Sequence, residues 1–204
     1  MSVLVKVCGI KNANEAQAIC GVKFNGKGVD FIGVILAKSP RQVSQTTAND
    51  IAQIAHKNGV KAVGVYDWVN LDEILKSALE AKFDAVQIYT PASSTEFEKF
   101  SQNGIKLWLA QSVGDTKPKH PKNCDLALYD TKGAKLGGNG ISFDWTLLNE
   151  IEFEFGIAGG LGTHNAAKAM QSGAVLLDFN SKLENENMQK DPQKIYEILQ
   201  ITKE

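Results

Sequence analysis

The feature that most constrains this chain is its punctuation. Short apolar, β-branched runs recur along its whole length, and nearly every one gives way to a polar stretch with helical spacing. Val3–Cys8, Val29–Leu36, Val60–Tyr66, Asp84–Tyr89, Ile105–Ala110, Cys124–Tyr129, Phe153–Ala158 and Ala174–Phe179 read as eight strands. The second is almost continuously apolar, as a parallel strand covered on both faces must be. Between them lie helix signals. Asn12 with Glu15 and Ser93 with Glu96 have capping-box spacing, and Asn70-Leu-Asp-Glu73 opens a stripe of Leu71, Ile74, Leu75 and Ala78. Ala13, Ala16, Ile19 and Cys20 form another stripe, as do Ile51, Ile54 and Ala55, and Asp191-Pro192 is an N-cap followed by proline at the first helical position. Thr163 is expected to cap the helix after strand seven, and Phe143-Asp144-Trp145 to start a brief one. Gln111 to Asn123 lacks helical periodicity, so a short or irregular helix is expected there.

Eight strands in regular alternation with helices predict a single (β/α)₈ barrel over residues 1–204. A doubly wound open sheet of eight strands would be long and thin at this length. Nothing in the composition marks a linker or a second domain. The formal net charge of −1 lacks the basic excess that nucleic-acid binding needs. Lys6 interrupts the first apolar run without a cleavage site after it, and no run approaches the ~20 residues of a membrane span. Three widely spaced cysteines without a CxxC read as reduced thiols, so a cytoplasmic location is expected. Three scattered histidines offer no metal cluster.

A barrel enzyme carries its chemistry at the C-terminal ends of its strands. Cys8 ends strand one, Asp130 ends strand six and Asp178 lies near the end of strand eight, so all three can face one bowl. Cys20 belongs to a helix stripe and Cys124 starts strand six at the opposite end. A thiol at a strand exit is otherwise a small core residue, and its position in a barrel tips the reading toward reactivity. Gly159-Gly160-Leu161-Gly162 leads from strand seven to a helix start, which suits a phosphate held on backbone N–H groups; a tight turn is the plainer reading. Asn180 and Ser181 supply a second loop after strand eight. Asp144 is explained as a helix cap. Arg41, after a proline at a strand exit, is either a solvated charge or a bidentate carboxylate clamp.

These motifs resemble the phosphoribosylanthranilate isomerase family. The resemblance rests on Val5-Lys-Val-Cys-Gly-Ile10, Lys38-Ser-Pro-Arg-Gln-Val-Ser44, Gly64-Val-Tyr66, Gly137-Gly-Asn-Gly-Ile-Ser-Phe-Asp-Trp145 and Gly159-Gly-Leu161. It implies a phosphate-binding barrel that acts on a small molecule and needs no metal or organic cofactor; a monomer is expected. The implied reaction is the Amadori rearrangement of N-(5-phosphoribosyl)anthranilate in tryptophan biosynthesis, with Asp130 as general acid and Cys8 as general base. Arg41 would face the anthranilate carboxylate, Asp178 would support the reacting centre, and Gly159, Gly160, Asn180 and Ser181 would hold the phosphate. The chain departs from the family where Gln87-Ile-Tyr-Thr90 replaces Gln-Leu-His-Gly, and where Asp178-Phe-Asn-Ser-Lys-Leu-Glu184 replaces Asp-Val-Ser-Ser-Gly-Val-Glu. A strand-five lysine of the family has no clear counterpart, Lys106 and Leu109 being nearest. The alternatives are the histidine-pathway isomerase, which relies on a pair of aspartates, and a non-catalytic sugar-phosphate-binding barrel.

Overall fold

A computed structural model describes residues 3–131, 143–149 and 151–204. The glycine-rich loop 133–140 and the motif residues Ile141 and Ser142 lie outside them. The eight predicted strands are β1 (Leu4–Cys8), β2 (Phe31–Ile35), β3 (Lys61–Val65), β4 (Ala85–Ile88), β5 (Lys106–Val113), β6 (Leu126–Thr131), β7 (Phe155–Ala158) and β8 (Leu176–Phe179). They pair in chain order, all parallel, and β8 returns to β1 to close the barrel. The helices are α1 (Ala13–Cys20), α2 (Gln45–Lys57), α3 (Leu71–Ala81), α4 (Ser94–Gln102), α5 (Ala166–Met170) and α6 (Pro192–Thr202).

The caps follow the sequence signals closely. Asn12, Ser44, Asn70, Ser93 and Asp191 each accept a backbone N–H of the first helical turn. Ser93 and Glu96 complete a reciprocal capping box. At α1 the box is shifted by one residue: Asn12 accepts from Glu15, but the Glu15 carboxylate takes the N–H of Lys11. Two expectations are corrected. No helix forms between Val113 and Leu126; β5 runs on instead to Val113 and an irregular connection follows. Thr163 caps nothing, because α5 begins at Ala166 with Asn165 in the cap position.

The period of two along each strand sorts side chains to two sides of the sheet. Val5 and Val7 of β1, Val86 and Ile88 of β4, and Leu177 and Phe179 of β8 join the core between sheet and helices. Their alternates point inward, where Phe31, Val63, Ala85, Trp108, Leu126, Leu128 and Leu176 fill the lower barrel. The same alternation carries Lys6 and Cys8, Gln87 and Tyr89, Asp130, and Asp178 to the interior, near the end where the strands finish.

Candidate active site

The upper interior begins with a charged layer. Lys6 is wholly buried, and its Nζ donates to Asp178 Oδ2 at 2.7 Å and to Gln87 Oε1 at 2.9 Å. Lys6 and Asp178 stand opposite one another in the β1–β8 register, so the pair is fixed by strand alignment. Burial works against the Lys6 charge, but the charges and hydrogen bonds of Asp178 and Cys8 outweigh it and raise its pKa. We therefore treat the contact as an ion pair. Asp178 Oδ1 is buried and has no partner among the described residues.

One layer higher, Cys8 sits two residues beyond Lys6 on the same inward face. Burial raises the pKa of its thiol; the Lys6 charge opposes this, the Asp178 charge adds to it, and Lys190 opposes it, with the net shift upward. Gly33 lies beside Cys8 in the β1–β2 register, and a Cβ there would come within 2.6 Å of the sulfur. Glycine at that position makes room for the thiol. Asp130 near the end of β6 is pushed up to about 6, chiefly by burial and then by the Asp178 charge. Its space is likewise kept by a glycine. A Cβ on Gly159 would approach Asp130 Oδ1 to 2.4 Å, and Gly159 and Gly160 both have positive φ. The strand-seven turn thus shapes the pocket around Asp130 as well as offering backbone N–H groups.

Asn165 explains why that turn needs no Thr163 cap. Its Oδ1 accepts the Gly162 N–H at 2.9 Å and its Nδ2 donates to the Gly160 carbonyl at 3.1 Å. The asparagine stitches the glycine turn instead of capping α5. Across from it, Ser181 opens a short 3₁₀ turn (Ser181–Leu183), and the Lys182 stem lies where a Cβ on Gly162 would meet it at 3.0 Å. The loops after β7 and β8 therefore touch, with Lys182 exposed between them. Asp144 behaves as a cap: its Oδ1 accepts from Thr146 N and Oγ1 at the start of a 3₁₀ turn (Trp145–Leu148).

Arg41 is not a free loop charge. Its Nε and Nη2 form a two-pronged pair with Glu184 at 2.6 and 2.7 Å. Glu184 also accepts from Lys190 at 2.5 Å, and Lys190 donates further to the carbonyl and Oδ1 of Asn180. Burial opposes the Glu184 charge, but hydrogen bonds from Arg41 and Lys190 hold its carboxyl below the usual range. Glu15 accepts from the Lys190 and Lys11 backbone N–H groups, tying the loop after β8 to that after β1. Sequence reasoning did not assign roles to Lys6, Glu184 or Lys190. A lysine two residues before the candidate base, in inward register within an apolar strand, was the available signal. Lys106 does not replace the family lysine in the bowl, because it lies at the start of β5 and pairs with Asp125.

Residues 5–201 match the family model described as N-(5′-phosphoribosyl)anthranilate (PRA) isomerase. An N-(5′-phosphoribosyl)anthranilate isomerase of Campylobacter jejuni is 42% identical over 200 residues, covering 98% of both chains. A Helicobacter pylori tryptophan biosynthesis protein TrpCF is 35% identical over 204 residues, which cover 98% of this chain and 44% of that longer one. Among solved structures, the isomerase of Thermotoga maritima aligns over 98% of both chains with a TM-score of 0.80 and 25% identity. A closed parallel barrel with full-length similarity of this degree leads to one assignment: the chain belongs to the N-(5′-phosphoribosyl)anthranilate isomerase family of tryptophan biosynthesis.

Proposed function

We propose that this isomerase rearranges N-(5′-phosphoribosyl)anthranilate by general acid–base catalysis, with Asp130 as the acid and Cys8 as the base. Asp130 gives its proton to the furanose ring oxygen, the ring opens, and an iminium forms at C1′. The Cys8 thiolate then takes the C2′ proton, giving an enolamine whose tautomerisation yields the ketone. The observation that carries this reading is the Asp130 carboxyl pushed up to about 6 at the same rim as a buried thiol beside a lysine. A carboxyl so placed keeps its proton into the mildly acidic range, and the Lys6 ammonium beside the thiol offsets part of the burial that raises the thiol pKa.

Binding roles follow from unused hydrogen-bonding capacity. Asp178 Oδ1 lacks a partner among the described residues and suits a sugar hydroxyl. Arg41 donates from Nε and Nη2 to Glu184, which leaves Nη1 for the anthranilate carboxylate. The phosphate is assigned to the turn Gly159–Gly160 and the loop Asn180–Ser181, with Lys182 between them. Lys190 takes the two acceptors of Asn180, its carbonyl and Oδ1, which turns the asparagine and leaves its Nδ2 as a donor toward the phosphate. We also assign a monomeric active form, to be checked by sedimentation.

Turnover, followed as loss of the fluorescence of the anthranilate substrate, tests the mechanism in Cys8→Ser and Asp130→Asn. Parent-like rates in either remove that residue's role. Gly160→Asp tests the phosphate position: it should raise KM, and an unchanged KM would move the phosphate elsewhere.

A further inference from the structure

Tyr89 stands where the family carries histidine, and the residues beneath it fix how its hydroxyl can bond. Lys6 has only donors, so the Gln87 side chain must turn its Oε1 toward Lys6 Nζ, at 2.9 Å. The opposite amide orientation would set an NH₂ against an ammonium. With Oε1 so fixed, Nε2 points the other way and donates to the Tyr89 hydroxyl at 3.4 Å. The phenol oxygen is therefore an acceptor toward Gln87. Its own proton has no acceptor among the described residues, and must point into the bowl. Tyr89 packs against the cluster formed by Cys8, Ile35, Ala37 and Val65 as well as against the lower-barrel cluster, and it feels the Cys8 charge, which places it near the proposed base.

We infer that Tyr89 is a substrate-contacting hydrogen-bond donor to the C2′ oxygen of the sugar, and that Lys6 and Gln87 are positioning residues that orient it. This rests on the assignment of Cys8 as the base. The C2′ oxygen is attached to the carbon whose proton Cys8 removes, so a donor packed against the thiol reaches that oxygen. A hydrogen bond there draws electron density from C2′ and acidifies its proton. It also stays with the oxygen as it becomes the ketone, so it strengthens along the reaction rather than merely holding the substrate. Burial, with the charges of Asp130 and Cys8, raises the phenol pKa, which keeps the donor protonated at working pH.

The test is a double-mutant cycle on the purified enzyme with the anthranilate substrate. Tyr89→Phe deletes only the hydroxyl and should lower kcat about three- to tenfold with little change in KM. Gln87→Glu puts a carboxylate in the same place, turning the Tyr89 proton away from the bowl toward it; kcat should fall similarly. In the double variant, the second change should add little to the first, because both remove one donor. A merely structural role predicts additive losses, or losses in thermal stability without a change in kcat. Parent-like kcat in Tyr89→Phe, or additive losses in the pair, overturns the inference. Cys8→Ser in the same assay separates the two readings. If it is inactive while Tyr89→Phe is normal, only the Tyr89 donor falls; if Cys8→Ser is active, the base assignment falls.

Discussion

The two ends of the barrel treat carboxylates in opposite ways. At the floor, Asp30, Asp84 and Asp125 precede β2, β4 and β6, and each reaches the start of the preceding strand. They accept from the backbone N–H groups of Val5, Ala62 and Leu107 at 2.7 to 2.8 Å. Each also has a basic partner: Lys203, His56 and Lys106 respectively. At the rim, Asp178 leaves one oxygen bare, and Asp130 has a pKa lifted to about 6. Floor carboxylates finish strand ends and are satisfied. Asp130 and Asp178 are held short of satisfaction, unlike the rim's Glu184, which Arg41 and Lys190 satisfy, and this raises their energy and keeps them available to a ligand. The difference separates stability from chemistry within one sheet.

The largest break in this pattern is expected from Cys8→Ser. A serine hydroxyl is scarcely ionised near neutral pH, so turnover should fall by roughly 10²-fold or more while the fold is retained. Cys20→Ser should do the reverse. Cys20 is fully buried in the α1 stripe, and burying a hydroxyl there should lower stability by about 1–3 kcal/mol with activity kept. Denaturation midpoints beside turnover numbers decide both. An alkylating reagent should inactivate the parent, with substrate protecting it.

Asp130→Asn comes next, with turnover down by about 10²-fold and a changed pH profile. On the proposed mechanism the active form has Asp130 protonated and Cys8 ionised, although the acid's pKa lies below that of the base. The product of those two fractions rises with pH up to about 6, is level between the two pKa values, and falls above that of Cys8. The break near 6 therefore belongs to Asp130 and should vanish in Asp130→Asn, whose residual rate keeps rising with pH. Stability should move the other way. A folded pKa raised from 3.8 to about 6 is a contribution present at low pH and lost as pH rises through about 6. At neutral pH the uncharged asparagine should be more stable by up to ~3 kcal/mol, the equivalent of about two pKa units. Equal melting temperatures at pH 7 would show that the site does not strain the carboxylate.

Much of this was legible in the sequence, because strands and caps are written in local spacing. All eight strands and the caps at Asn12, Asn70, Ser93 and Asp191 depend on residues a few positions apart. The misses have physical causes. β7 starts at Phe155 because Phe153 leaves the sheet and stacks on His120, with ring centroids 4.1 Å apart. Thr163 is no cap because Asn165, two residues on, holds the glycine turn. Above all, the buried charges pair over long sequence separations, Lys6 with Asp178 and Arg41 with Glu184. Only the closed register brings them together, so their identity as charges was readable but their partners were not.

The floor offers a milder test. Asp30→Ala would orphan the Val5 N–H and remove the Lys203 partner, and should lower stability by about 1–3 kcal/mol. Its kcat and KM should match the parent. A loss of turnover in the folded variant would show that the two ends are coupled.

The smallest expected effect concerns Lys182, which the chain carries where the family motif has glycine. A glycine at a phosphate cradle works through close backbone approach, whereas a lysine brings a positive charge on a flexible stem. The stem already lies against Gly162, and the exposed ammonium has no hydrogen-bond partner among the described residues. If charge compensates for lost backbone contacts, Lys182→Ala should raise KM a few-fold at low ionic strength and leave kcat unchanged. Raising the salt from about 10 mM to about 1 M shortens the screening length from about 30 to 3 Å, so the difference from the parent should shrink toward nothing. Lys182→Arg should behave like the parent in both. A KM that ignores Lys182→Ala at low salt would place this side chain among ordinary surface charges, and the phosphate would rest on the backbone of the two loops alone.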